Sequence, residues 1–178
     1  MEGSIVGIIG DRGAGKTLLL TSMLYHDWKA GKKIITNYKL QFGSTQRITY
    51  ASFGEIAQLP EWIADAVIGM DELGEGADSR EFFKKRNQNI GKLAMQIRKR
   101  RSTVVYTVQN FNYIDKRLRQ QTDYLLVCYK HPDPNKVGAR VTIVDPKTYQ
   151  PIKKFDFDGN DFTELYDTYE IVTAEEDE

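Results

Sequence analysis

The sequence predicts an α/β domain whose central sheet is mostly parallel. Short apolar, β-branched runs alternate with helical segments, which is the pattern of β-α-β units with helices on both faces of a sheet. The last two extended runs instead flank a turn at Asp145–Lys147, which predicts an antiparallel hairpin at the sheet edge. At 178 residues, we expect a single domain over residues 1–170 and a disordered acidic tail at 171–178.

The predicted elements follow one another in regular order. Ser4–Ile9 is short, mostly apolar and β-branched, as expected for a buried parallel strand. The helix after it should end near Gly31, which suits a C-cap, and Ser52 should cap a small helix that Pro60 stops. We predict strands at residues 4–9, 33–38, 47–50, 66–70, 103–108, 123–129, 141–144 and 152–157, and helices at 17–30, 52–59, 78–101 and 162–169.

The loop between the first strand and the first helix carries the strongest functional signal. Residues 10–17 match the pattern G-x-x-x-x-G-K-[ST] in full, and its glycines let backbone N–H groups turn toward an anion. Lys16 is expected to reach the β- and γ-phosphates of a nucleoside triphosphate, and the Thr17 hydroxyl is expected to bind Mg²⁺. The predicted nucleotide contacts are Gly10, Asp11, Arg12, Gly13, Ala14, Gly15, Lys16, Thr17 and Leu18.

Polar residues at the ends of two later strands predict the rest of the site. Asp71 and Glu72 follow the apolar run 66–70, and we expect this strand to lie beside the phosphate-loop strand, with Asp71 on the metal. On an extended backbone Glu72 would point the other way, where its carboxylate can polarise the attacking water. Gln109 ends the next strand and is expected beside the nucleotide, where it contacts that water or the γ-phosphate.

The overall charge of zero hides an uneven distribution along the chain. Between residues 80 and 119 there are twelve basic and two acidic residues, whereas residues 155–178 carry ten acids and no base. A net charge of +10 in the middle segment suits a polyanionic partner, and the acidic end does not. The weakest candidates for such contacts are Lys84, Lys85 and Arg86, because a solvated helix face explains them equally well.

Two arginine groups are candidates for catalysis between subunits. Arg98, Arg100 and Arg101 end the predicted long helix, where cations also complement the helix dipole. One of them, with Arg98 and Arg101 as the candidates we select, is a possible arginine finger donated to the nucleotide of a neighbouring subunit in a ring. Arg117 and Arg119 form the second pair. If neither pair touches nucleotide, DNA phosphates are the alternative ligand.

Four blocks together resemble the FtsK–HerA group of P-loop ATPases. The closer likeness is to its small viral branch, which comprises genome-packaging ATPases and zonula-occludens-toxin-like morphogenesis proteins of filamentous phages. The likeness covers residues 4–130 and rests on the phosphate loop, the pair Asp71–Glu72, the segment 98–109 and the segment 115–123. It implies a three-layer P-loop NTPase fold of the RecA-like type, with the mostly parallel sheet and C-terminal hairpin described above.

The resemblance also implies an activity, cofactors and partners. It implies a motor that hydrolyses ATP with Mg²⁺ and translocates or packages double-stranded DNA as a homo-oligomeric ring, most simply a hexamer. Lys16, Glu72 and Gln109 would be catalytic, with an arginine from residues 98–101 acting in trans. Capsid or virion-membrane proteins would be further partners, and the location would be the host-cell cytoplasm or the virion.

Two other functions remain open from the residues. A small nucleoside or metabolite kinase has a similar size and the same loop, although Asp71–Glu72 and Gln109 favour water as the phosphoryl acceptor. A nucleotide-binding assembly factor with little turnover is the other alternative. A GTPase is disfavoured because Asn135–Gly138 reads Asn-Lys-Val-Gly and lacks the aspartate of the guanine-reading pattern N-K-x-D.

The distribution of apolar residues argues against an integral membrane protein. No stretch of 18 consecutive apolar residues occurs, so we expect no integral membrane segment. The single cysteine, Cys128, lies within the apolar run 124–129 and is expected to be a small buried hydrophobe rather than a nucleophile.

Overall fold

The computed structural model describes residues 3–58, 63–73 and 96–167. The named elements in these ranges follow the predicted alternation, and residues 96–99 are also helical. In chain order the elements are β1 (Ile5–Ile9), α1 (Lys16–Lys29), β2 (Lys33–Thr36), β3 (Ile48–Tyr50), α2 (Phe53–Ala57), β4 (Ala66–Met70), β5 (Thr103–Val108), α3 (Lys116–Gln121), β6 (Tyr124–Lys130), β7 (Gly138–Val144) and β8 (Pro151–Asp158).

The described strands form one eight-stranded sheet in the order β3-β2-β4-β5-β1-β6-β7-β8. The strands from β3 to β6 are parallel, and β7 and β8 add an antiparallel hairpin at one edge. The predicted fold class is therefore confirmed. The expectation that β4 neighbours the phosphate-loop strand β1 is wrong, because β5 lies between them. Every residue of β5 is buried, which suits a central position in a sheet covered on both faces.

The sheet separates two hydrophobic cores, which makes the domain three layers thick. Successive residues of β1 alternate between them: Ile5 belongs to one core and Val6 to the other, as the two-residue period of a strand requires. The side with Val6 is covered by α1 through side chains such as Leu20. The side with Ile5 is covered by α2, α3 and the helical turn at 96–99, through Ile56, Leu118 and Ile97.

Several predicted helices differ from the observed structure. The predicted helix 162–169 is wrong where it can be compared, because a 3-10 segment at Asn160–Phe162 leads into a turn and a β-bridge from Tyr166 to Leu40. The Leu165 carbonyl accepts the Gln41 N–H at 2.7 Å, and this tertiary pairing replaces the helical bonds. The segment after Asp115, for which we predicted no helix, is the short helix α3, and Asp115 caps it by accepting the Arg117 N–H at 2.8 Å.

Some predictions fall outside the described part of the chain. Of the predicted helix 78–101, only residues 96–101 are described, and they end the helix before β5. The segment with Lys84, Lys85 and Arg86, the boundary at residue 170 and the acidic tail lie outside the described residues.

Candidate active site

The phosphate loop connects β1 directly to the start of α1. At Gly10 the backbone φ is +151°, and a Cβ there would lie 2.4 Å from the Cys128 carbonyl oxygen, so only glycine fits. Gly15 is the N-cap of α1 and offers no side-chain cap. The first N–H groups of α1 are therefore left for an external acceptor, and the positive end of the helix dipole favours an anion.

The predicted contact residues divide into exposed and buried side chains. Asp11, Arg12 and Gly13 are exposed, whereas Ala14 and Leu18 are buried. Lys16 donates from Nζ to the Asp11 carbonyl oxygen at 3.1 Å, so its ammonium lies against the loop itself. Ala14 and Leu18 thus offer a ligand only their backbone, while Lys16 brings a charge to the loop.

Thr17 and Asp71 meet although β5 separates their strands. The Thr17 hydroxyl lies 2.9 Å and 3.1 Å from the two carboxylate oxygens of Asp71. This contact forms because the first turn of α1 reaches across β5 to the carboxyl end of β4. A hydroxyl and a carboxylate are oxygen donors of the kind that Mg²⁺ prefers, so the two predicted metal ligands fit that ion.

Asp71 is a buried acid, with a relative exposure of 7%. Its burial raises the pKa above the ordinary aspartate value, while hydrogen bonds from Thr107 and Thr17 and the charge of Lys16 act in the opposite direction. A bound cation would also favour the ionised form. The protein therefore bears a desolvated carboxylate at the place where a metal would stabilise it.

Two residues that the sequence analysis missed hold the end of β4 from both sides. The Asn37 side-chain amide accepts the Asp71 N–H at 2.8 Å and donates to the Asp71 carbonyl at 3.0 Å. The Thr107 hydroxyl donates to the Asp71 carboxylate at 2.6 Å. Both residues are polar and lie at the carboxyl ends of strands that flank β4, and that position is the signal that could have identified them.

Glu72 does not have the extended backbone that we expected. Its φ is +54°, in the left-handed region, and its N–H donates to the Thr107 hydroxyl at 2.9 Å. The next residue, Leu73, donates its N–H to the Thr107 carbonyl at 2.9 Å. The chain thus turns immediately after Asp71 because β5 captures two successive N–H groups, and the Glu72 side chain is exposed.

Gln109 lies beside the phosphate loop, as expected. The register of β1 and β5 pairs Ile9 with Val108, which brings Gln109 next to Gly10. Both residues line an open cleft of about 370 Å³, whose wall also includes Asp11 and the tyrosines Tyr129 and Tyr149. The predicted sensor and the start of the phosphate loop therefore share one cavity.

Lys130 is a further cation at this edge that the sequence analysis did not select. It is the last residue of β6, the strand on the other side of β1. A Cβ placed on Gly13 would lie 3.7 Å from Lys130 Cε, so the lysine side chain passes over the loop. Its position after an apolar strand is the same signal that identified Asp71 and Gln109.

The arginines predicted as fingers lie at the opposite edge of the sheet. Arg98 pairs with Asp123, which precedes β6, and Arg101 pairs with Asp65, which precedes β4, at 2.8 Å. Arg100 donates to the Ile63 carbonyl at 3.1 Å. All three lie at the amino-terminal ends of parallel strands, whereas the phosphate loop is at the carboxyl ends. This chain does not bring them to its own loop.

The second basic pair lies elsewhere, on α3. Arg117 is exposed, and Arg119 donates to the Asn112 side chain at 2.8 Å. Because Asn112 lines the same cleft as Gln109, this hydrogen bond connects Arg119 to the phosphate-loop edge of the sheet. Cys128 is buried as predicted, and its burial raises the pKa of the thiol to about 12.

The parallel sheet, the glycine-rich loop before α1 and the contact from Thr17 to Asp71 define a P-loop α/β domain. The model of the zonular occludens toxin (Zot) family matches residues 4–132. The chain therefore belongs to the zonular occludens toxin family, and the toxin-like resemblance inferred from its motifs is confirmed.

Solved structures share the same fold. The N-terminal domain of zonular occludens toxin from Neisseria meningitidis superposes with a TM-score of 0.62 and 16% identity, over 94% of this chain and 100% of that one. A KaiC-like protein from the archaeon Pyrococcus horikoshii OT3 gives a TM-score of 0.62 and 15% identity, over 88% and 86%. At these identities the likeness concerns the fold. Among curated protein sequences, none matches significantly.

Within residues 3–58, 63–73 and 96–167, no helix has both the length and the apolar character needed to cross a membrane.

Proposed function

We propose that this protein is a Mg²⁺-dependent ATPase that couples hydrolysis to the movement of DNA. The observation that carries the hydrolytic part is the contact of the Thr17 hydroxyl with the Asp71 carboxylate at 2.9 Å, next to a complete phosphate loop. Phosphoryl transfer needs mainly positioning and charge neutralisation, and this edge of the sheet offers both. Membership in the zonular occludens toxin family and the P-loop fold support the same activity.

Each residue has a defined task in this proposal. Lys16 and the N–H groups at the start of α1 would bind the β- and γ-phosphates, and Thr17 and Asp71 would hold Mg²⁺, which would neutralise phosphate charge. Glu72 accepts a proton from the attacking water. Gln109 contacts that water or the γ-phosphate and changes its contacts when hydrolysis removes the phosphate.

We further propose that Arg98 or Arg101 acts on the nucleotide of a neighbouring subunit. Because both lie at the amino-terminal edge of their own sheet, they could reach only a phosphate loop that another copy presents. Their ion pairs are partly exposed and therefore weak enough to exchange for phosphate. Mixing Lys16→Ala subunits with Arg98→Ala/Arg101→Ala subunits should restore some turnover, and a mixture without any recovery would exclude action in trans.

DNA is the proposed cargo because cations cluster in the middle of the chain. Twelve basic residues lie between positions 80 and 119, and two of them on α3, Lys116 and Arg117, are exposed. DNA binding through such residues weakens steeply with salt. The resemblance to packaging and morphogenesis ATPases favours a ring, with a hexamer as the simplest form, and double-stranded DNA as the substrate.

One experiment tests the motor proposal as a whole. The ATPase rate is measured with Mg²⁺ alone, with double-stranded DNA and with single-stranded DNA, at low and high salt, and the particle mass is measured in ATP. We expect stimulation by double-stranded DNA that high salt removes, together with a ring-sized mass. Stimulation by single strands alone would change the cargo, whereas a monomer unaffected by either DNA would contradict the motor.

A nucleotide-binding assembly factor with little turnover is the second candidate. The left-handed backbone at Glu72 favours this candidate. The role of Glu72 as general base was predicted for an extended backbone, which the structure does not have at this residue. The two candidates separate when the protein is incubated with an equimolar amount of labelled ATP and Mg²⁺. The assembly factor would retain bound ATP intact for hours, whereas the ATPase would convert it to ADP and phosphate.

A further inference from the structure

The side chain of Thr107 is hydrogen-bonded to both acidic residues of the site, Asp71 and Glu72. It is fully buried on β5, and its hydroxyl donates to the Asp71 carboxylate at 2.6 Å while it accepts the Glu72 N–H at 2.9 Å. Its carbonyl accepts the Leu73 N–H at 2.9 Å. One residue therefore bonds to three successive residues, 71, 72 and 73.

The backbone at this point requires such support. The φ of +54° at Glu72 is sparsely populated by residues other than glycine, and such conformations persist where surrounding contacts over-determine them. On the other side of β4, the Asn37 amide bonds to both backbone groups of Asp71. The pair Asp71–Glu72 is thus fixed by a side chain from each neighbouring strand.

We propose that Thr107 is a positioning residue for Mg²⁺-dependent hydrolysis, an inference that rests on the proposed function. Its donated hydrogen bond orients the Asp71 carboxylate toward Thr17 and the metal. Its accepted hydrogen bond fixes the turn that directs Glu72. The Thr107 hydroxyl thereby fixes the position of the proposed metal ligand, Asp71, relative to the proposed base, Glu72.

The location of Thr107 also connects this turn to Gln109. The two residues are two positions apart on β5, and the β1 pairing places Gln109 beside Gly10. A shift of the end of β5 when the γ-phosphate leaves would reach the Asp71–Glu72 turn through the Thr107 hydroxyl. Thr107 therefore provides a covalent and hydrogen-bonded path between Gln109 and the two acids.

The test compares three threonine substitutions in the full chain. Thr107→Val keeps the shape but removes the hydroxyl, and Thr107→Ser restores it. Thr36→Val is the matched control, because Thr36 is also fully buried and ends β2, yet its hydroxyl has no hydrogen-bond partner among the described residues. Loss of the Thr36 hydroxyl should therefore leave the site unchanged.

Two readouts separate positioning from folding. We expect Thr107→Val to lower kcat by about 100-fold, a loss typical of misplaced catalytic groups, with a KM for ATP within about threefold of wild type. Thr107→Ser should recover most of kcat, and Thr36→Val should retain it. Independently, Mg²⁺ should strengthen the binding of a fluorescent ATP analogue by wild type and Thr36→Val, and much less by Thr107→Val.

The outcomes distinguish this inference from the proposed function. If wild type hydrolyses no ATP but Thr107→Val still loses the Mg²⁺ effect on binding, the positioning of Asp71 stands and the ATPase proposal fails. Unchanged kcat and unchanged Mg²⁺ effect in folded Thr107→Val would overturn the inference. If that variant does not fold, Thr107→Cys, a weaker donor of similar size, replaces it. An intermediate loss would support the proposal, and wild-type behaviour would overturn it.

Discussion

The two edges of the parallel sheet use charged side chains in opposite ways. At the amino-terminal edge, Arg98 and Arg101 are paired with carboxylates of the same chain. At the carboxyl-terminal edge, Lys16 is bonded to a backbone carbonyl and Asp71 to two threonine hydroxyls. Neutral partners orient a charge without cancelling it, so the charges at the carboxyl-terminal edge remain available to a ligand. Those at the amino-terminal edge are neutralised, within one subunit, by carboxylates of the same chain.

Of the substitutions that compare the two edges, Lys16→Ala should have the largest effect on the ATPase rate. Lys16→Ala removes the cation that the loop presents, and we expect a fall in ATPase rate of about 10³-fold, since single preorganised charge contacts contribute on that scale. The thermal midpoint should hardly change. The matched control is Lys32→Ala, which breaks a lysine contact with Asp27 at 2.6 Å far from the loop and should retain full activity. Equal ATPase rates for Lys16→Ala and Lys32→Ala would contradict the claim that charges at the carboxyl-terminal edge, and not those at the amino-terminal edge, serve a ligand.

Asp71→Asn should separate function from stability at the same position. Because burial raises the pKa of Asp71, its ionised form disfavours the folded protein increasingly as pH rises through the raised pKa. The neutral amide should therefore raise the free energy of unfolding at pH 7 and have less effect near pH 4. ATPase activity should nevertheless fall by about 100-fold, as for other lost charge contacts.

Denaturant titration without nucleotide measures the stability effect, and steady-state assays measure the activity. A clear loss of stability at pH 7 in Asp71→Asn would mean that the carboxylate supports the fold. It would then resemble the acids at the amino-terminal edge, and the contrast between the edges would not hold for Asp71.

The smallest effects on an isolated subunit should come from the amino-terminal edge, where they should concern its stability. Asp123 accepts the Ile5 N–H at 2.9 Å in addition to its contact with Arg98. We expect Asp123→Ala to lower the free energy of unfolding by about 1–2 kcal/mol because a backbone donor of β1 loses its partner. Arg98→Ala removes only a partly exposed ion pair and should cost about 1 kcal/mol or less.

Chemical denaturation of both variants checks this order. If Arg98→Ala is the more destabilising of the two, the ion pair rather than the bond to β1 is the main contribution of Asp123. The ATPase rate of isolated Asp123→Ala subunits should remain near that of wild type, since nothing in the described contacts links it to the loop.

The parts of the site that the sequence predicted are those encoded locally. The phosphate loop and the helix after it depend on consecutive residues, so the motif 10–17 was sufficient to locate them. The position of Asp71 and Gln109 at this edge could be predicted because each follows an apolar strand, and parallel strands bring their carboxyl ends to one edge. Most strands were found for the same reason, since their apolar runs are continuous.

The missed features depend on contacts between distant residues. The position of β5 between β1 and β4 follows from strand pairing, which no single strand encodes. The left-handed backbone at Glu72 depends on Thr107, 35 residues away, and one of two threonines in a largely apolar strand gives little indication of this role. The predicted helix at 162–169 fails because Leu165 and Tyr166 pair with the segment around Leu40 instead.

The Glu72→Gln variant tests most directly whether the protein hydrolyses ATP with Glu72 as the general base. The variant is assayed for binding and hydrolysis of ATP with Mg²⁺. The substitution keeps the size of the side chain and removes its capacity to accept a proton. We expect Glu72→Gln to bind ATP with wild-type affinity and to hydrolyse it about 10²–10⁴-fold more slowly, as for the loss of a general base. Hydrolysis at the wild-type rate in Glu72→Gln would contradict the role of Glu72 as the base.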